Sequence, residues 1–173
     1  VTYLPTSIRG LSFYLYLIMD IYSRKIVGHE VFEAENMNNS ATLIQRAVLR
    51  EKCAHKPLVL HADNGSAMKG STLYAKLDSL GITPSHSRPR VSNDNAYSES
   101  LFRTCKYHPR FPTNGFNQIE DARQWVHHVV RWYNEEHRHS QIRYVTPAQR
   151  HAGQDEDILR ARHELYQQAQ RAN

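Results

Sequence analysis

The chain has little of what marks disulfide-built, zinc-bound or membrane-spanning proteins. Its 173 residues include two cysteines, Cys53 and Cys105. They form no Cys-x-x-Cys, so a zinc knuckle has no support. A reduced, cytosolic setting is the default, with both thiols free and without a chemical role. No apolar run approaches the ~20 residues of a membrane span; the longest, Leu11 to Met19, is of strand length. No signal-peptide pattern, internal repeat or low-complexity segment is visible. Acidic residues are outnumbered, 17 Asp and Glu against 22 Lys and Arg, for a net charge of +5 and a pI near 9.3. A basic balance favours a polyanionic partner and a salt-dependent affinity. The 11 histidines add charge below about pH 6.5. The length fits one domain with a sizeable core.

Periodicity gives an α/β order. Residues 1–4 read as a short strand, Leu11 to Met19 as the strongest strand, and Lys25 to Phe32 as a third, joined as an antiparallel meander. Asn38 or Asn39 is the expected N-cap of a helix running to about Lys52, with Leu43, Ile44, Ala47 and Val48 on its buried face. Leu58 to His61 is a fourth strand, and Ser71 to Leu80 a helix closed by Gly81. Ile82 to Ser85 is a fifth strand, which Pro84 puts at a sheet edge. Ser87 to Asn95 lacks periodicity and reads as a mobile loop. Helices follow over about Asn95 to Tyr107, over Asn117 to His137 with the stripe Ile119, Ala122, Trp125, Val126, Val129, Val130 and Tyr133, from Pro147, and over 155–172. The expected division is a core over 1–153 and a helical tail over 154–173.

Two carboxylates stand out. Asp63 follows the fourth strand in His61-Ala62-Asp63-Asn64-Gly65, and Glu99 lies in the first turns of a helix. Since 99 − 63 = 36, they are separated by 35 residues. Each has a plainer explanation: Asp-Asn-Gly is a strong turn sequence, and a negative charge is favoured near any helix N-terminus. Together, acids on a strand end and a helix can bind divalent cations, and two such ions roughly 3.5–4 Å apart drive in-line attack on phosphodiesters. Arg103 and Lys106 lie four and seven residues after Glu99 on the same helix face, where they could hold phosphates or simply form a salt-bridged stripe.

With these residues in place the chain resembles the DDE transposases of bacterial insertion sequences, whose catalytic core is shared with retroviral integrases. The likeness runs through Val1-Thr2-Tyr3-Leu4-Pro5, Asp20-Ile21-Tyr22-Ser23-Arg24-Lys25-Ile26-Val27-Gly28, both carboxylate segments, Trp132-Tyr133-Asn134 to Ser140, and Tyr144-Val145-Thr146-Pro147-Ala148. It implies a ribonuclease-H-like α/β fold, with a mixed five-stranded sheet flanked by helices. It implies metal-dependent DNA strand cleavage and strand transfer, with Asp63 and Glu99 as catalytic ligands of Mg²⁺ or Mn²⁺. Arg103, Lys106, Asn64, Asn95 and Arg88 would contact DNA, the element ends and the target. Self-association is implied because two DNA ends are joined together, and the setting is the bacterial cytoplasm, on the nucleoid when DNA is bound, with no membrane. The family's first carboxylate belongs to an Asp-x-Thr-Tyr-Leu pattern in which Val1 holds the x position, so that Asp is expected just before Val1, and the 173 residues alone are expected to be inactive.

Asp20 falls at a turn after the second strand and resembles the family's Asp-x-Tyr-Ser-Arg segment, not its first carboxylate, while Glu30 reads as a solvent-facing strand residue. The pairs His127-His128 and His137/His139 lack a third ligand at metal spacing. The resemblance implies that Trp132-Tyr133-Asn134 is part of a structural closing segment, with His137, Arg138 and His139 near DNA. Two rival readings remain: a non-catalytic DNA-binding or assembly fragment of a degenerate transposase, and a nuclease of the ribonuclease H type, against which the Trp-Tyr-Asn segment argues.

Overall fold

The computed structural model describes residues 1–63, 65, 68–88 and 95–172. They form two compact units, Val1–Ile18 with Val27–Val129, and Met19–Ile26 with Val130–Asn173.

In the first unit, β1 (Thr2–Pro5) pairs antiparallel with β2 (Ser12–Met19), in the register Thr2↔Leu15 to Pro5↔Ser12. β3 (Ile26–Phe32) completes the three-stranded sheet in the order β1-β2-β3. β4 (Leu58–Ala62) pairs parallel with β5 (Ile82–His86), from Leu58↔Ile82 to Ala62↔His86. Among the described residues the ladders therefore form a three-stranded and a two-stranded sheet, and not the single five-stranded sheet expected from the sequence. The physical reason is that alternation reports which face of a strand is buried, and leaves its hydrogen-bonding neighbour open. Both sheets satisfy that alternation against one core. Ile18 of β2 and Leu58 and Leu60 of β4 pack on the cluster of Ala41, Ile44, Val48, Leu73, Leu77 and Ile82. Each large aliphatic side chain fully buried in this way contributes roughly 1.5–3 kcal/mol.

The cluster is built by α1 (Met37–Arg50) and α2 (Ser71–Ser79). α1 buries Leu43, Ile44, Ala47 and Val48, the stripe read from the sequence, along with Ser40 and Ala41. Its N-cap is Asn36, not Asn38 or Asn39: the Asn36 side chain accepts from the Asn39 N–H at 3.0 Å. Tyr16 decides the choice, because its hydroxyl accepts from the Asn36 N–H at 3.0 Å and donates to the Asn36 carbonyl at 3.3 Å. α3 spans Ala96–Lys106, and α4 spans Ile119–Glu135 with Ala122, Val126, Val129, Val130 and Tyr133 buried. Before α4, Gly115 (φ +77°) lies against the Pro5–Thr6 backbone, where an added Cβ would come within 2.5 Å of Thr6. The Phe116 N–H then donates to the Pro5 carbonyl at 2.9 Å.

In the second unit, Asn134 accepts from the Ile26 N–H at 2.8 Å and donates to the Ile26 carbonyl at 3.0 Å. A single 3-10 turn, Ser140–Ile142, precedes α5 (Pro147–His151). Thr146 caps α5 through a reciprocal box with Gln149, and Pro147 opens the helix. α6 spans Asp155–Ala172, and its buried Asp155 pairs with Arg150 at 3.2 Å. No helix among the described residues is long and apolar enough to cross a membrane.

Candidate functional site

Asp63 follows β4 directly and is exposed. Its Oδ1 accepts from the Gly65 N–H at 3.0 Å, so the turn-forming role and an outward carboxylate coexist. The strand end beneath it is pinned by side chains that the sequence did not single out. The His86 ring meets the Asp63 carbonyl through Nδ1 at 3.3 Å and the Tyr74 hydroxyl through Nε2 at 2.9 Å. A carbonyl only accepts, so His86 Nδ1 carries a proton and donates to it. One ladder step back, His61 contacts the hydroxyls of Ser85 at 3.0 Å and Ser87 at 3.4 Å. The signal for these residues was the parallel register, which sets Ala62 beside His86. The Val1 backbone nitrogen is partly buried and lies within electrostatic reach of Asp63 and Glu35.

α3 separates into two faces. Leu101 and Cys105 are buried, and burial pushes the Cys105 thiol up to about 12. Glu99, Arg103 and Lys106 are exposed. Although Glu99 and Arg103 share a face, they form no ion pair: the Arg103 guanidinium lies over the Tyr107 ring, 5.5 Å from its centroid. Glu99 and Lys106 have no hydrogen bond or ion pair among the described residues. Asn95 occupies the N-cap position of α3, but its side chain makes no capping bond. Arg88 is exposed in the segment after β5. Asn64 lies outside the described residues, as does most of the loop expected over Ser87 to Asn95.

The donor chemistry fits a hard divalent cation. Asp63 and Glu99 offer exposed carboxylate oxygens, the ligand type that Mg²⁺ and Mn²⁺ take. Among the described residues no three His, Cys, Asp or Glu side chains are grouped to hold a metal.

Asp20 is committed elsewhere. Its carboxylate accepts from the amides of Tyr22 and Ser23 at 3.2 Å each, from the Ser23 hydroxyl at 2.5 Å and from His151 Nδ1 at 3.2 Å. Burial alone would raise its pKa, but these bonds outweigh it and hold the group below its ordinary value. Ser23, although it also touches His151 at 3.1 Å, is fully buried with its proton given to Asp20, so the trio is not a nucleophilic triad. Glu30 departs from the solvent-facing role expected of it: it is partly buried and bridges Arg123 at 3.2 Å and Arg46 at 3.6 Å. Of the histidines, His29 is driven down in pKa by burial first and then by the nearby Arg50 and His127. His137 is lowered by burial and stacks on Tyr133, with ring centroids 5.3 Å apart.

Residues 1–92 match a family described as "Integrase core domain", and residues 80–147 match a second family of the same description. A transposase for insertion sequence element IS904 from Lactococcus lactis subsp. lactis (strain IL1403) is 29% identical over 149 residues, which is 84% of this chain and 56% of the relative. The chain thus spans little more than half the length of that relative. Among solved structures, the simian T-cell lymphotropic virus intasome in complex with PP2A regulatory subunit B56 gamma gives a TM-score of 0.63 at 14% identity, over 86% of this chain and 50% of the other. The catalytic core domain of BIV integrase gives 0.56 at 19%, over 88% and 89%. The HTLV-2 integrase catalytic core domain in complex with magnesium, a trimeric form, gives 0.57 at 14%, over 80% and 83%. The fold is therefore ribonuclease-H-like.

Proposed function

Since the chain belongs to the integrase core domain family, we propose that it is the catalytic core of a DDE-type transposase, which cuts DNA strands and joins them to a new site. The observation that carries this reading is the pair of exposed carboxylates on rigid elements, Asp63 at the carboxyl end of β4 and Glu99 in the first turn of α3.

In this reading Asp63 and Glu99 hold Mg²⁺ or Mn²⁺, and the residue preceding Val1 supplies a third carboxylate. Bound there, the metal supplies electrostatic stabilisation to the attacking and leaving oxygens of a phosphodiester. The chain's own groups do the rest. The Gly65 N–H fixes one Asp63 oxygen, and His86, braced by Tyr74, holds the Asp63 carbonyl, so the carboxylate is presented from a fixed strand end. Arg103 and Lys106 hold phosphates beside Glu99, and Arg88, Asn64 and Asn95 add contacts along the DNA. The chain works as a homo-oligomer in the bacterial cytoplasm, because two DNA ends are joined in one reaction.

A second reading, a non-catalytic DNA-binding or assembly fragment, is favoured by one observation: among the described residues no three His, Cys, Asp or Glu side chains are grouped to hold a metal. One experiment separates the two. The 173-residue chain is expected to bind duplex DNA without cutting it. A longer protein that includes the residue before Val1 is expected to cleave its element's ends in Mg²⁺, and Glu99→Gln in that protein to abolish cleavage with DNA binding nearly unchanged. Cleavage that survives Glu99→Gln would remove Glu99 from the site. A longer protein with no cleavage at all would favour the fragment reading.

A further inference from the structure

The segment after the 3-10 turn holds a strained backbone whose side chains gain no burial from it. Arg143 (φ 59°) and Tyr144 (φ 59°) are consecutive residues in the left-handed region, and neither is glycine. Arg143 is the C-cap of the 3-10 turn, a position where a left-handed backbone is normal and glycine supplies it without strain. L-residues persist in such a conformation only when their surroundings over-determine it.

Those surroundings are present. Arg162 of α6 donates to the Arg143 carbonyl at 2.9 Å and to the Tyr144 carbonyl at 3.3 Å, and Arg138 donates to the Tyr144 carbonyl at 3.4 Å. From the other side, the Tyr144 N–H donates to the His139 carbonyl at 3.0 Å, and the His139 N–H to the Val145 carbonyl at 3.2 Å. The backbone is clamped at both ends, yet both side chains point outward: Arg143 is exposed, and Tyr144 is 60% exposed. Neither residue repays its strain by burial.

Arg143 also lines a cleft of about 580 Å³ with two other arginines. Arg150 is committed there to Asp155 at 3.2 Å and lies 4.4 Å over the Tyr22 ring, and Arg160 is paired with Asp157 at 3.2 Å. Among the described residues Arg143 is the cation of this cleft whose side chain has no ion-pair partner. Asp155 is neutralised by Arg150, so the remaining acid of the cleft lining is Glu156.

We propose that Arg143 and Tyr144 form a second DNA contact, separate from the Glu99 face of α3, in which Arg143 takes a backbone phosphate and the Tyr144 ring stacks on an unpaired base. The pairing of types carries the chemistry: a guanidinium neutralises a phosphate, and a tyrosine ring offers a stacking surface to any base that is out of a duplex. This rests on the proposed DNA function and adds a surface to it.

Glycine substitutions test it, because glycine suits the backbone while removing the side chain. Arg143→Gly and Tyr144→Gly, each in the full chain, are expected to raise the thermal midpoint by about 2–4 °C. Binding is read by fluorescence anisotropy with a labelled duplex and with one of its strands alone. Arg143→Gly should reduce the slope of log affinity against log salt by about 0.7–0.9 on both probes, and Arg143→Lys should retain most of it. Tyr144→Gly should weaken the single strand about tenfold and the duplex little. Glycine variants that gain thermal stability while binding both probes like wild type overturn the proposal and make the segment a turn only. A lowered midpoint in both overturns the strain argument on which it stands. Failure of the wild-type chain to bind either probe overturns the DNA function as well, whereas wild-type binding unchanged in the variants overturns this surface alone.

Discussion

Asn134 satisfies both backbone polar groups of Ile26, 108 residues away in sequence, accepting its N–H at 2.8 Å and donating to its carbonyl at 3.0 Å. A side-chain amide carries both a donor and an acceptor, so Asn134 satisfies both backbone groups of the first residue of β3. Replacing Asn134 with Ala leaves two partly buried groups to find water and is expected to destabilise the chain by about 2 kcal/mol. The thermal midpoint should fall by roughly 4–8 °C. Asn134→Asp keeps the acceptor, loses the donor, and should fall between. Equal midpoints for wild type and Asn134→Ala would show that the Ile26 groups are hydrated equally well without it.

The Asp20 turn predicts a pH dependence with a definite sign. Its folded pKa lies below the ordinary value of 3.8, so the stabilisation is present above that value and is lost as pH falls through the lower, folded one. Asp20→Asn removes the charge that Ser23, His151 and two amides converge on. In urea unfolding, the gap between wild type and Asp20→Asn should be widest near pH 7 and should close below about pH 3.8. A gap that widens as the pH falls would contradict the hydrogen-bonded carboxylate.

The periodic parts of the chain were legible from sequence because burial alone makes them. Period 3.6 identified Leu43, Ile44, Ala47 and Val48 of α1, and also set Glu99, Arg103 and Lys106 on one face of α3. Asp63 was found at its strand end because a short apolar run followed by Asp-Asn-Gly defines both strand and turn. What sequence left open was set by distant partners. Three asparagines in a four-residue stretch compete to cap α1, and the hydroxyl of Tyr16, 20 residues upstream of Asn36, selects that one. The Asn134 clamp and the His86–Asp63 contact have no local signature at all, since each joins residues from separate elements. The left-handed pair at Arg143 and Tyr144 lacks the glycine that would have announced it.

The two thiols should differ in reactivity. Burial holds the Cys105 thiol near a pKa of about 12, so almost no thiolate exists at neutral pH. Cys53 is half-buried at the end of α1, with its sulfur 3.6 Å from the Val48 carbonyl. In a thiol-titration assay on the native chain, Cys53 is expected to react well before Cys105, which reacts only as the chain unfolds. Two thiols reacting at one rate without denaturant would mean that α3 opens locally and exposes its buried face.

The exposed face of α3 makes the final prediction, because its two cations differ in what else they do. Lys106 has no partner among the described residues, whereas the Arg103 guanidinium also covers the Tyr107 ring at 5.5 Å. If each holds one phosphate, Lys106→Ala should flatten the salt dependence of duplex binding by about one unit and leave stability within about 0.5 kcal/mol of wild type, as for an exposed surface residue. Arg103→Ala should flatten the slope equally and also lose the ring contact, worth about 0.5–1 kcal/mol at an exposed site. The double variant should lose about two units, since separate phosphates release separate counterions. Anisotropy titrations across a salt series and thermal melts of the same variants measure both quantities. A Lys106→Ala slope equal to wild type would turn that side chain away from the DNA. A double variant that loses only one unit would mean that both cations share a single phosphate beside Glu99.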